Sequence, residues 1–119
     1  MTLQNAFLDD IVEDVKTTIQ NEFTDFGFGT DGSAEDSTDQ SMGNEVLRKD
    51  RIEVSTSGSS VTVSGSLSST EMNGQTLREI AVLDADSGGQ MKTRDVIDDI
   101  QKTSDFEVWV DETIEVNVS

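Results

Sequence analysis

The sequence predicts an α+β domain, with an N-terminal amphipathic helix followed by a mainly antiparallel β-sandwich or sheet. Three observations carry that prediction. Apolar residues first recur at helical spacing and then, from about residue 51, at a period of two. The breaks between the later apolar runs are built from Gly, Asn, Asp and Ser, with proline absent altogether. The length, 119 residues, fits one structural domain that buries a single modest core.

The helical signal covers residues 2–20, with the segment running on to residue 26. Leu3, Phe7, Ile11, Val15 and Ile19 recur at i+4, and Ala6, Leu8 and Val12 widen the stripe. Thr2 is placed to cap the helix, and Asp9, Asp10, Glu13, Asp14 and Lys16 take the remaining surface. Phe23, Phe26 and Phe28 are expected to close the helix end onto the core, and Phe26 and Phe28 are also candidate interface residues. Residues 27–50 read as a Gly/Asp/Ser-rich loop and a short turn: a loop over 27–43 anchored by Met42, then a helical turn over 44–50. A loop of that length inside a compact domain is usually functional or mobile.

Residues 51–119 read as strands. Ile52 and Val54 alternate with polar neighbours, as do Val61, Val63 and Leu67, with Gly65 filling one inward slot. Ile80 and Val82 alternate with Ala81 and Leu83, so this strand is apolar on both faces and expected at the centre of a sheet. Residues 90–97 are its expected hairpin partner, joined through the turn Asp84-Ala85-Asp86-Ser87-Gly88-Gly89. Phe106, Val108 and Val110 form one face of the next strand and Trp109 the other. Ile114, Val116 and Val118 follow. By parity Trp109 needs cover, either from a second layer of the same domain or from a partner, since tryptophan is enriched at interface hot spots.

Charge narrows the function classes. Asp and Glu number 25 against 8 Lys and Arg, a net charge of −17. Such a surface repels nucleic acid, and no DNA or RNA partner is expected. No apolar run approaches the length of a membrane span, and the N-terminus lacks the basic-then-apolar pattern of a secretory signal, so neither membrane partner nor export is expected. The carboxylates are scattered rather than gathered in a tail, a pattern suited to a saline cytoplasm. In molar salt the Debye length falls to about 3 Å and self-repulsion nearly vanishes.

Reactive chemistry is sparse. Histidine, cysteine and tyrosine are all absent, which removes Ser-His and Cys-His pairs, histidine metal ligands and disulfides. Among 25 acidic residues, adjacent pairs such as Asp98-Asp99 arise by chance and signal no hydrolase. Phe26-Gly27-Phe28-Gly29-Thr30-Asp31-Gly32 has the glycine content of a phosphate-cradling loop but lacks the following lysine and the strand-to-helix setting. Asp84, Asp86 and Ser87 resemble the opening of a calcium loop, without the sixth-position glycine and terminal glutamate in register. Asp31, Glu35, Asp36 and Asp39 are a further acidic group, read as a solvated loop. The expectation is a non-enzyme with no cofactor and no assigned metal site, Asp84 and Asp86 being the nearest candidates.

Several segments in order resemble the tail and fibre-attachment proteins of tailed phages. The first is Gly29-Thr30-Asp31-Gly32, followed by Met42, Asn44-Glu45-Val46 and Arg48. The second is Arg78-Glu79-Ile80-Ala81-Val82-Leu83-Asp84, then Ser87-Gly88-Gly89-Gln90-Met91-Lys92-Thr93-Arg94, and finally Lys102-Thr103 leading to a valine-alternating strand. Asp31 interrupts the glycine loop, and Ala81 replaces the family's glycine after Ile80. The resemblance spans most of residues 27–118. It implies a structural virion protein of the tail or baseplate, assembled in the host cytoplasm and connecting tail tip and fibres. Its partners would be copies of itself, as a homo-oligomer (a trimer or a multiple of three), and other tail proteins; the acidity adds a haloarchaeal host. It also implies structural roles for Gly29, Thr30, Gly32, Glu45, Arg48, Arg78 and Glu79, with a carboxylate–guanidinium pair between the 45–48 and 78–79 segments pinning the loop base to the sheet. Two other readings remain open: a capsid decoration or vertex protein, and a host adhesion or ligand-binding module using calcium.

Overall fold

A computed structural model describes residues 4–117. One helix, α1 (Asn5–Glu22), precedes seven strands: β1 (Asp25–Gly29), β2 (Glu45–Asp50), β3 (Glu53–Ser57), β4 (Ser60–Leu67), β5 (Thr76–Leu83), β6 (Met91–Gln101) and β7 (Val108–Glu115). The strands form a four-stranded sheet, in the order β2-β1-β5-β6, and a three-stranded sheet, β3-β4-β7. Every pairing is antiparallel, giving the expected α+β, sandwich-like arrangement.

The core lies between the two sheets. Phe26 and Phe28 from β1 and Ile80 and Val82 from β5 meet Val61, Val63 and Leu67 from β4, with Val108, Val110 and Ile114 of β7 packed at the side. A Cβ on Gly65 would run into the Phe26 ring, so the glycine in this inward slot makes room for an aromatic side chain. The helix lies across β3 and β4 and contributes Val12 and Ile19 to the core. Its last turn is held by Arg51, whose guanidinium donates to the carbonyls of Gln20 (2.6 Å) and Phe23 (3.0 Å), where a cation also suits the helix dipole.

The structure corrects four expectations. Residues 25–29, expected as the end of the helical segment (25–26) and the start of the loop (27–29), form β1 between β2 and β5; the alternation Phe-Gly-Phe-Gly is a strand whose large side chains point inward. Residues 44–50 are not a helical turn but mostly β2, since the exposed edge of β1 needs a partner and tertiary pairing overrides local helix propensity. Phe26 and Phe28 are fully buried, with ring centroids 6.3 Å apart, so they offer nothing to an interface and do not close the helix end. Phe7 stands 54% exposed, so the core-facing stripe of α1 is confined to its C-terminal part. Thr2, Leu3 and Val118 lie outside the described residues, and Gln4 takes the N-cap position without a side-chain bond.

Other expectations hold. β5 is central and buried along its second half. The turn at 84–89 joins β5 to β6, with Gly88 and Gly89 at φ of 65° and 73°, a left-handed conformation that glycine adopts without strain. Trp109 points away from Val108 and Val110, on the outer face of the three-stranded sheet.

Candidate functional site

The residues singled out by the resemblance converge on the outer face of the four-stranded sheet, beneath the segment 30–44. At its centre is Glu79, fully buried on β5. Its carboxylate accepts four hydrogen bonds: from the amides of Gly43 (2.8 Å), Asn44 (2.8 Å) and Asp31 (3.1 Å), and from Nε of Arg94 (3.0 Å). Burial alone would raise the Glu79 carboxyl, but the donors of Asn44, Arg94, Gly43 and Asp31 outweigh it and hold it below the usual carboxylate range. Both ends of the 30–44 segment are thus tied to one side chain.

Glycine makes this approach feasible. A Cβ on Gly29 would lie 2.6 Å from Glu79 Oε2 and would also strike the carbonyl of Asn44; one on Gly27 would lie 2.6 Å from Met42 Sδ. Met42 packs here on Ala81 and Leu83, with Met91 beside them, forming a small second core under the segment. Thr30 closes the base: its amide donates to Asn44 O (3.1 Å) and its hydroxyl accepts from Asn44 Nδ2 (2.7 Å). Gly32 packs over the Arg78 side chain.

Arg94 was missed as a key residue in the sequence. Its side chain is 5% exposed; besides Glu79 it pairs with Asp39 (3.2 Å) and donates to the carbonyls of Ser33 (3.1 Å) and Asp31 (3.4 Å). Burial lowers its pKa and the carboxylates of Glu79, Asp39 and Asp31 raise it, with a net rise, so the guanidinium stays charged. Arg94 faces Ala81 in the β5–β6 register and is therefore the diagonal neighbour of Glu79 on the same face. The expected pairing between the 45–48 and 78–79 segments takes a different form. Arg48 binds Glu45 on its own strand (2.6 Å) and the turn carbonyls of Ala85 (3.0 Å) and Gly88 (2.7 Å). Arg78 binds Asp99 (3.2 Å) and Thr30 O (3.2 Å). The loop base is pinned to the sheet, but by backbone amides on Glu79 and by Arg94.

The acidic groups considered for cations have local partners. Asp84 Oδ1 accepts the amide of Gln90 (2.7 Å) across the hairpin, while Asp86 is exposed in the turn. Asp31 and Asp36 bond Ser33 and Thr38 within the loop, which holds both carboxyls below their ordinary values. Among the described residues, no three acidic side chains gather at metal-ligating spacing. No helix among them is long and apolar enough to cross a membrane.

Two features lie elsewhere. Lys102 is 1% exposed; its ammonium donates to Asn73 Oδ1 (3.0 Å) and Thr103 O (2.9 Å) and sits 5.5 Å from the Phe106 ring centroid, clamping the turn before β5. Between the sheets, Glu112 on the inner face of β7 meets Asp95 on the inner face of β6. Burial first, then a hydrogen bond and charge from Asp95 and the charge of Glu35, push the Glu112 carboxyl up to about 8. At neutral pH Glu112 is therefore mostly protonated.

Trp109 is 66% exposed, its indole N–H directed at Glu107 (3.1 Å). No family model matches the sequence, and no curated protein matches it significantly.

Proposed function

We propose that this chain is a non-enzymatic structural protein of a virus particle, placed at the tail or baseplate and connecting tail tip and fibres through contacts with copies of itself and neighbouring tail proteins. One observation supports this reading above the rest: the residues that resemble tail proteins are engaged in holding backbone together. The carboxylate of Glu79 has its acceptor positions filled by three amides and Arg94, and Arg48 and Arg78 are likewise bound to carbonyls and carboxylates. A motif consumed in this way builds a rigid surface loop and offers no free base or nucleophile to a substrate.

The dispersed acidity supports assembly in a saline host, where contacts depend on close packing and short hydrogen bonds because long-range attraction is screened. The expected state is a homo-oligomer of three copies or a multiple of three. Sedimentation of the purified chain in molar KCl tests it: a concentration-dependent trimer supports the reading, and a monomer at every concentration removes self-assembly from it. The adhesion reading predicts instead that EDTA in high salt lowers the melting temperature substantially.

A further inference from the structure

Charge is segregated between the two sheets. None of the eight Lys and Arg residues lies on β3, β4 or β7, whose sequences are EVSTS, SVTVSGSL and VWVDETIE. By register, the outer face of this sheet carries Glu53, Asp111 and Glu115 among serine and threonine side chains, with Trp109 at one end. In contrast, Arg48, Arg78 and Arg94 of the other sheet are held by carboxylates and carbonyls of that half of the molecule.

The charged groups of this face are all carboxylates, and several of its hydroxyl protons are turned onto them. Ser64 donates to Asp111 (2.7 Å), Ser59 (2.8 Å) and Ser60 donate to Glu115, and the Thr62 and Thr113 hydroxyls bond each other (3.0 Å). The Trp109 N–H is engaged by Glu107 (3.1 Å). The protons of Ser59, Ser60 and Ser64 and of the Trp109 indole are thus turned onto carboxylates, Ser55, Ser57 and Ser66 keep hydroxyls that can donate or accept, and the carboxylates and the indole π-surface face solvent. A second copy of this face would bring the same carboxylates. A guanidinium is a donor-only group that also stacks on indole.

We propose that the outer face of the β3-β4-β7 sheet docks an arginine-bearing extended segment of a partner protein, with Trp109 as the anchor. The guanidinium stacks on the indole and forks onto Asp111, two residues along the same strand face, about 7 Å away. β7 is an edge strand, so its outer backbone groups are open to pairing with an extended segment. This inference deepens the idea of assembly contacts but does not require the tail location: particle labelling elsewhere would leave it standing, and its own failure would leave the tail reading intact.

The chain has one tryptophan, so its fluorescence reports on Trp109 alone. The full chain in molar KCl would be titrated with a short peptide alternating Arg and Thr, and with its counterpart carrying citrulline in place of each Arg. The expected result is a saturable fluorescence change with the Arg peptide, and binding weaker by about tenfold with citrulline. By calorimetry, W109A and D111N should each weaken binding roughly three- to tenfold with unchanged melting. The proposal is overturned if the two peptides bind alike, if neither binds, if W109A binds as tightly as the parent, or if a neutral oligosaccharide gives the saturable change and the Arg peptide does not.

Discussion

Replacing Glu79 with Gln should destabilise the domain far more than an isosteric change on a surface. Each carboxylate oxygen accepts two donors: Oε1 takes Gly43 N and Arg94 Nε, and Oε2 takes Asn44 N and Asp31 N. In the E79Q variant one oxygen becomes an NH2, so whichever way the amide is turned, two donors lose their acceptor and face a third. A buried donor left without a partner costs about 1–3 kcal/mol. Arg94, 5% exposed, would also lose one of its two carboxylates. The sum is about 3–5 kcal/mol, the range seen when one member of a buried pair is removed. Against a total stability of about 5–15 kcal/mol for a domain, that is a large share. Urea denaturation in molar KCl, followed by far-ultraviolet circular dichroism, measures it. Hydrogen exchange adds a local readout: the amides of Asp31, Gly43 and Asn44 should lose protection while those of β4 keep theirs. A change below about 1 kcal/mol with protection retained would refute the claim that Glu79 holds the 30–44 segment.

Gly29→Ala should cost about 1–3 kcal/mol, because its Cβ would press on Glu79 Oε2 and Asn44 O; wild-type-like denaturation would contradict the close approach. Stability should also depend on pH from both sides. The lowered carboxyl of Glu79 stabilises above its unfolded value of 4.5, and that contribution is lost as pH falls through the folded value. Glu112 has the opposite sign: its contribution is full below 4.5 and is lost as pH rises through about 8, so melting temperature should decline toward alkaline pH and Glu112→Gln should flatten that decline. Finally, a net charge of −17 predicts a lower melting temperature on dilution from molar salt to about 0.1 M; an unchanged value would remove the argument for a saline host.

The elements legible in the sequence were those whose pattern is local and repeated. The C-terminal part of α1, the alternating valines of β4, the twin-faced β5 and the Gly88-Gly89 turn each follow from spacing alone, and Trp109 falls on the outer face by parity. Met42 anchors its loop and Gly65 fills an inward slot, as their surroundings in the chain suggest. β1 escaped because two of its five residues are glycines, so strand alternation appears as large against absent side chains rather than apolar against polar. β2 escaped because Glu, Leu, Arg and Lys favour a helix until an edge strand supplies a partner. The role assigned to Glu79 was half legible. A carboxylate pinning a loop was anticipated, but its main donors are backbone amides, which carry no residue signature, and Arg94 lies 15 residues away on another strand.

Location in the particle is the central claim, and labelling tests it most directly. Antibody raised against the chain, folded in molar salt, would be applied to particles from lysed halophile cultures and viewed by electron microscopy. The account predicts label confined to the tail tip or baseplate. Label on the head would contradict it in favour of a decoration protein, and label on cells without particles would contradict it in favour of an adhesion module.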